Sequence, residues 1–191
     1  YFQQSYDAGR DDKLRQSWAL LQYIEGQTLG ELLQSESCST AKEVHAFIKQ
    51  FLGSILIPSW NAGLRFKDCS TSNLIITEQG LRMIDVEQVR KSAFEFLDTP
   101  ASWEDRSRQE AMALQRLPGV IAELLLLREP KADRTPKRRR QTKRQVVAAL
   151  TDTCLTDSLK PLGRDPIPAK REEACTRAIE ALSEFIGVLD Q

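Results

Sequence analysis

A short β-hairpin between long helical stretches is the feature that most constrains this chain. Leu74-Ile75-Ile76 and Leu81-Arg82-Met83-Ile84 are apolar runs of strand length, joined by Thr77-Glu78-Gln79-Gly80. Gly80 can adopt the positive φ that a tight turn needs. One strand and helices precede this hairpin and helices follow it, which is not the alternation of a parallel βαβ sheet. The sequence therefore predicts a mainly α fold of the α+β class.

The helical stretches are recognised by apolar residues at helical spacing. A short helix is predicted around residues 29–33, and a longer amphipathic one starts at Ala41 and ends before Pro58. Its stripe comprises Val44, Phe47, Ile48, Phe51, Leu52 and Ile55.

Three more helices are predicted downstream, at residues 106–127, 145–155 and 170–189. The first is expected to be interrupted or kinked near Pro118-Gly119. The last has one apolar side, formed by Ala174, Ala178, Leu182, Phe185, Ile186 and Leu189. Residues 18–24 predict a buried strand, and residues 93–105 and 129–142 have the least regular pattern.

Composition limits the class of protein. A length of 191 residues suits one domain, with 41% hydrophobic and 28% charged residues. The 27 basic and 27 acidic side chains cancel, so any charged partner must be bound by a local patch. No apolar run approaches the length that spans a bilayer, so no membrane association is expected. Four scattered cysteines favour reduced thiols and a cytoplasmic location.

Three polar residues surround the hairpin at suggestive spacing. Asp68 precedes Asn73 by five residues, Asn73 opens the first strand, and Asp85 follows the second strand. Such groups can converge on one edge of a hairpin. A carboxylate can orient or deprotonate an attacking hydroxyl, while a carboxamide and a second carboxylate can bind Mg²⁺. The alternative is that all three are ordinary turn residues.

The pattern resembles the protein-kinase-like superfamily, in which an H-R-D-x-x-x-x-N loop leads into a hairpin and then D-F-G. The corresponding segments here are Phe66-Lys67-Asp68 through Asn73, and Asp85-Val86-Glu87. Upstream, residues 6–12 and 20–29 are similar to a kinase strand pair that leads into the hinge. The resemblance implies an ATP- and Mg²⁺-dependent kinase in which Asp68 is the catalytic base and Asn73 and Asp85 hold the metal.

The same resemblance implies a nucleotide site and a domain layout. The backbone of Gln22 and Ile24 would meet the adenine edge, Thr28 would approach the ribose, and Ile75 would lie beneath the base. Residues 1–28 would form the end of the N-lobe and the hinge, and residues 29–191 the helical C-lobe of one domain. The Gly-rich loop and the strand lysine would precede Tyr1, so a truncated N-terminus is expected.

Several residues depart from the family pattern. Phe66 replaces the usual histidine, Ser70 a phosphate-contacting lysine, and Val86-Glu87 the Phe-Gly pair. The Asp85-Val86-Glu87-Gln88 segment is similar to RIO-type atypical kinases. The expected reaction is phosphoryl transfer to a hydroxyl of a protein or small molecule. The alternative is a pseudokinase scaffold whose catalysis is impaired.

A basic run at residues 137–144, Lys-Arg-Arg-Arg-Gln-Thr-Lys-Arg, allows a third interpretation. It can be a solvated loop, or it can bind nucleic acid, an acidic partner or a phosphorylated substrate. In the third interpretation the chain is a non-catalytic helical module that binds nucleic acid through this run.

Overall fold

A long amphipathic helix lies at the centre of the fold. The computed structural model of the chain describes residues 5–11, 16–21, 23–62, 64–66, 69–84, 89–91, 114–159 and 168–187. The helix comprises α2 (Ala41–Lys49), a π-helical segment (Gln50–Leu56) and α3 (Ile57–Asn61). Thr40 begins it with a capping box, because its hydroxyl accepts a hydrogen bond from the Glu43 amide at 3.2 Å.

The predicted apolar stripe of this helix is confirmed. Val44, Ile48, Phe51, Leu52 and Ile55 are all fully buried. The predicted end before Pro58 is wrong, since α3 continues to Asn61. Proline lacks an amide hydrogen and crowds the preceding helical turn, but here it stands in the first turn of α3, directly after the wider π-helical segment.

The strands form three small antiparallel sheets. β1 (Ser5–Asp11) pairs with β2 (Gln16–Leu21), and β4 (Leu64–Phe66) pairs with β7 (Val89–Lys91). The third sheet has the order β3-β5-β6, from β3 (Gln27–Thr28), β5 (Leu74–Thr77) and β6 (Gly80–Met83). The predicted hairpin is confirmed as β5–β6, with Gly80 at a φ of 108°.

The strand predicted at residues 18–24 is shifted. β2 ends at Leu21, and Tyr23, which we expected to pack in the core, is 87% exposed. Ile24 is half-buried. An aromatic residue in an apolar run favours a strand, but burial depends on whether another element covers that position.

The remaining helices precede and follow the central one along the chain. They are α1 (Leu29–Gln34), α4 (residues 114–126), α5 (Pro136–Asp152), α6 (Leu155–Leu159) and α7 (Pro168–Ile186), with a 3₁₀ turn at Lys131–Asp133. The helix α1 is as predicted. The helix α4 runs through Pro118 and Gly119 without interruption, and residues 106–113 of its predicted range lie outside the described part of the chain.

The start of α5 corrects the prediction of an irregular stretch at residues 129–142. The helix begins at Pro136, and the Thr135 hydroxyl caps it by accepting from the Arg138 amide at 3.2 Å. Arginine, lysine and glutamine are good helix formers, so the basic run is helical rather than a loop. The helix predicted at residues 145–155 is broken in the structure. Here α5 ends at Asp152, Cys154 has a φ of 59°, and α6 begins at Leu155.

The helix α7 has the predicted apolar side, with one exception. Ala174, Ala178, Leu182 and Ile186 are buried, whereas Phe185 is 42% exposed at the edge of the stripe. Residue 189, the last of the predicted stripe, lies outside the described residues. The described structure is therefore mainly helical with a small three-stranded antiparallel sheet. None of its described helices combines the length and apolarity needed to cross a bilayer.

Arg134 joins three parts of the fold through backbone carbonyl groups. It is 9% exposed, and its guanidinium donates to Leu32 O at 2.8 Å and Leu33 O at 3.1 Å, at the end of α1. It also donates to Ser35 O at 3.1 Å and to Glu129 O at 2.8 Å. Carbonyls at helix ends lack intrahelical partners and carry partial negative charge, so a planar cation with five donors satisfies several at once.

We predict that Arg134→Met lowers the free energy of unfolding by about 3 kcal/mol, because buried carbonyls lose charge-assisted hydrogen bonds. Urea denaturation followed by circular dichroism measures this loss, and the midpoint should fall while the slope is unchanged.

Lys131→Met is the matched control for this prediction. Lys131 and Glu36 form an exposed ion pair at 3.1 Å, which should contribute less than about 1 kcal/mol. Equal losses in the two variants would contradict the role assigned to Arg134.

Candidate active site

The two faces of the β5–β6 hairpin have different environments. Leu74, Leu81 and Met83 are buried, and Ile76 packs against the same core. Ile75 and its cross-strand partner Arg82 alternate with them and are half-buried on the opposite face. The sheet therefore offers one partly open face, on which Ile75 lies.

The segment expected to be the hinge runs beside this sheet. β3 pairs with β5, so that Thr28 is the cross-strand partner of Ile75. Residues 23–27 line a cleft of about 710 Å³, and Ile24 is among them. Of the four predicted nucleotide-contacting residues, Thr28 and Ile75 are neighbours and Ile24 lies in the adjoining segment. Gln22 lies outside the described residues.

Gly26 brings this segment close to β5. A Cβ atom at Gly26 would lie 2.4 Å from the backbone oxygen of Ile76 and 2.7 Å from the Ile75 Cγ2 atom. Its φ is 154°, which side chains rarely adopt. We did not single out Gly26 from the sequence, because a glycine in a loop does not reveal which backbone will approach it.

Thr28 has a structural role in addition to its predicted one. Its hydroxyl accepts from the Glu31 amide at 3.1 Å and donates to the Glu31 carboxylate at 2.9 Å. The Thr28 amide donates to the same carboxylate at 2.7 Å, and this backbone hydrogen bond is the main reason that the pKa of Glu31 is lowered. This capping box fixes the start of α1 directly after β3.

The loop that ends in Asn73 is fixed at several points. Cys69 is buried, and the Thr71 carbonyl accepts from the Gly30 amide at 3.2 Å in the first turn of α1. Asn73 is 8% exposed, its amide donates to Ser70 O at 3.1 Å, and its carbonyl accepts from the Ile84 amide at 2.9 Å. The predicted metal ligand Asn73 thus stands at the open end of the hairpin, in a fixed backbone.

Two backbone pairings enclose the segments that contain the other two candidates. Phe66 pairs with Val89 in the β4–β7 sheet, and Asn73 bonds to Ile84 at the end of the hairpin. Asp68 belongs to the segment 67–72 between Phe66 and Asn73, and Asp85 to the segment 85–88 between Ile84 and Val89. Asp68 and Asp85 themselves lie outside the described residues.

Ser70 occupies the position where the resemblance would place a lysine. Its hydroxyl lies 2.8 Å from the Ser72 hydroxyl, so the two side chains share a hydrogen bond within the loop. Ser72 also donates to the Asn73 Oδ1 atom at 3.4 Å. This short chain of hydroxyls ends at the Asn73 carboxamide and supplies no positive charge.

The turn of the hairpin is held by the central helix. Gln50, the first residue of the π-helical segment, accepts from the Leu81 amide at 2.7 Å through its Oε1 atom. Its carboxamide would lie within 2.3 Å of a Cβ atom at Gly80. Glycine at position 80 therefore makes room for Gln50 as well as permitting the turn.

No protein-family model matches this chain, and the comparison with curated proteins found no match. Within the described residues, no group of three or more histidine, cysteine, aspartate or glutamate side chains could hold a metal ion. The four cysteines are free thiols.

We predict that Gly26→Ala lowers the free energy of unfolding by about 1 to 3 kcal/mol, because the new methyl group overlaps the backbone of β5. Denaturant unfolding measures the change.

Gly53→Ala is the matched control. Gly53 is exposed in the helical segment and a Cβ atom there would have no neighbour within 4 Å. Alanine should stabilise that position by up to about 1 kcal/mol. The close approach at β5 is refuted if Gly26→Ala is as stable as the wild type.

Proposed function

We propose that this protein is a protein-kinase-like phosphotransferase that uses ATP and Mg²⁺ to phosphorylate a hydroxyl of a protein or small molecule. The observation that carries the proposal is the pair of backbone connections around the candidate residues, Phe66 with Val89 and Asn73 with Ile84. Together they join the segments containing Asp68 and Asp85 at both ends. A chain spans only about 3.5 Å per residue, which favours one shared site for these two carboxylates and Asn73.

The donor set suits a magnesium ion. A carboxamide oxygen from Asn73 and a carboxylate from Asp85 are hard oxygen ligands, and the backbone of Asn73 is fixed on both sides. When bound, Mg²⁺ would neutralise charge on the nucleotide phosphates. Asp68 would orient the acceptor hydroxyl and accept its proton, as a positioned carboxylate can.

The geometry of the sheet supports a nucleotide beside these groups. Ile75 is two residues from Asn73 along β5, or about 7 Å. An apolar side chain on the partly open face would support the base, while the backbone at Ile24 would offer its amide and carbonyl to the base edge. Thr28, paired with Ile75, would flank the ribose.

A catalytically impaired scaffold that retains nucleotide binding is the second candidate. Ser70 favours it, because its hydroxyl is shared with Ser72 and cannot replace the positive charge of a lysine near a transferring phosphate. The two candidates share the nucleotide site and differ in turnover.

We predict that Asp68→Asn in the full-length polypeptide lowers phosphoryl transfer from ATP about 100-fold or more and leaves nucleotide affinity nearly unchanged, because it removes only the proton acceptor. Asp85→Asn and Asn73→Leu should instead weaken Mg²⁺-dependent nucleotide binding. Titration with a fluorescent ATP analogue measures binding, and radiolabelled ATP measures transfer.

Asp152→Asn is the matched control, since Asp152 is an exposed carboxylate at the end of α5. It should change neither quantity. Nucleotide binding without transfer in the wild type would favour the scaffold. Unchanged transfer in both Asp68→Asn and Asp85→Asn, or no binding of Mg-ATP, would exclude the proposed enzyme.

A further inference from the structure

A second cleft lies away from the hairpin, where α4, α5 and α7 meet. It has a volume of about 650 Å³, and we call it the α5 cleft. Its lining includes Leu125, Arg128, Pro130, Lys137, Arg138 and Phe185. A cleft of this size falls within the range of ligand-binding pockets, so it has room for a side chain of a bound segment.

The positive charges of the α5 cleft are of two kinds. Arg138 is fixed by Glu129, to which its Nε atom donates at 2.7 and 3.0 Å and its Nη2 atom also donates. Arg128 and Lys137 are exposed, and the described residues provide no ion pair for either. Asp133 is the one other acidic residue of the lining. Two cations therefore remain available to an anionic ligand.

The cleft also has an apolar wall. Leu125 is buried beneath it, and Phe185 leaves 42% of its surface exposed although it belongs to a helix with an otherwise buried apolar side. Thr142 lines the same wall, and its buried hydroxyl has no hydrogen-bond partner among the described residues. Buried hydroxyls are usually hydrogen-bonded, so the Thr142 hydroxyl is an unsatisfied polar group in the wall of the cleft.

The positive surface extends from the cleft along α5. Lys137, Arg140 and Arg144 are exposed and follow one another at helical spacing on one side of the helix. The ion pairs described for α5 use Arg138 and Arg139 instead, through Glu129 and Glu123. The chain has no net charge, so this row creates a local positive field.

We propose that the α5 cleft docks an acidic peptide segment that carries one aromatic or aliphatic side chain. The apolar side chain would pack against Phe185, and carboxylates would face Arg128, Lys137 and the row that continues to Arg144. A concave apolar wall beside unpaired cations matches this chemistry. Nucleic acid is less well matched, because α5 itself carries no aromatic residue and Phe185 supplies one ring, whereas single-strand binding stacks successive bases on several aromatic side chains. This inference goes beyond the proposed phosphotransferase and does not depend on it.

Binding of a fluorescein-labelled peptide of glutamates around one phenylalanine, measured by anisotropy with the full chain, tests the proposal. We expect the double variant Arg128→Glu, Lys137→Glu to bind about tenfold more weakly or worse, since reversed rim charges repel the peptide. Phe185→Ser should weaken binding of this peptide. It should not change binding of the same peptide with serine in place of phenylalanine.

The double variant Lys42→Glu, Lys170→Glu is the matched control, with the same change in net charge at exposed sites on α2 and α7. It should bind the peptide like the wild type. The proposal is overturned if this control loses as much affinity as the cleft variant, if Phe185→Ser has no effect, or if poly(U) RNA binds while the peptide does not. Circular dichroism of each variant confirms that it is folded.

Discussion

The hydrogen bonds of Arg134 fix the element on which the candidate active site is built. The guanidinium binds the last carbonyls of α1 and the carbonyl of Glu129 beyond α4, so the C-terminal end of α1 cannot move independently of the helical core. At its other end, α1 is capped by Thr28, which pairs with Ile75, and its first turn contains Gly30, whose amide donates to Thr71 O in the loop before Asn73. Through α1, the buried Arg134 side chain therefore helps to fix the positions of Thr28 and of the loop before Asn73. Its ligands are neutral carbonyls, so geometry and the partial charges of helix ends explain its burial.

The central helix stabilises the same site from the other side. The stripe from Val44 to Ile55 packs beneath the buried face of the hairpin, and Gln50 binds the Leu81 amide at the turn. Gln50 is also the first residue of the π-helical segment. A π-turn inserts extra width into a helix and shifts the direction of the side chains that follow it. Such segments are frequent at functional sites, and here the segment is adjacent to the strand pair that carries Asn73.

The sequence predicted the local features of this fold well and the long-range ones poorly. The hairpin and the stripes of the central helix and of α7 follow from period and turn chemistry, which are properties of neighbouring residues. Pro58 does not end the helix, because it follows the wider π-helical segment, whereas a proline signals a helix end where the preceding turn is regular. The basic run is helical although its charge suggests a solvated loop, because arginine, lysine and glutamine have high helix propensity. Gly26 and Gln50 could not be predicted, since each matters through a contact with a distant strand. For the candidate site, the sequence predicted the position of Asn73 at a strand start. It could not predict the long-range hydrogen bonds that hold this segment, from the Gly30 amide to Thr71 O and from the Ile84 amide to Asn73 O.

The candidate active site and the α5 cleft would bind anions in two different ways. With the proposed residues, the candidate active site would contribute two carboxylates and a carboxamide, so it would repel a nucleotide phosphate unless a divalent cation lay between them. Among the described residues, Arg128 and Lys137 of the α5 cleft have no ion pair and lie beside an apolar wall, so the proposed acidic ligand would need no metal there. A neutral chain gains no long-range attraction for either ligand, and each surface must therefore act through its own local field. On α5, Arg138 and Arg139 pair with glutamates, whereas no ion pair among the described residues involves Lys137 or Arg140.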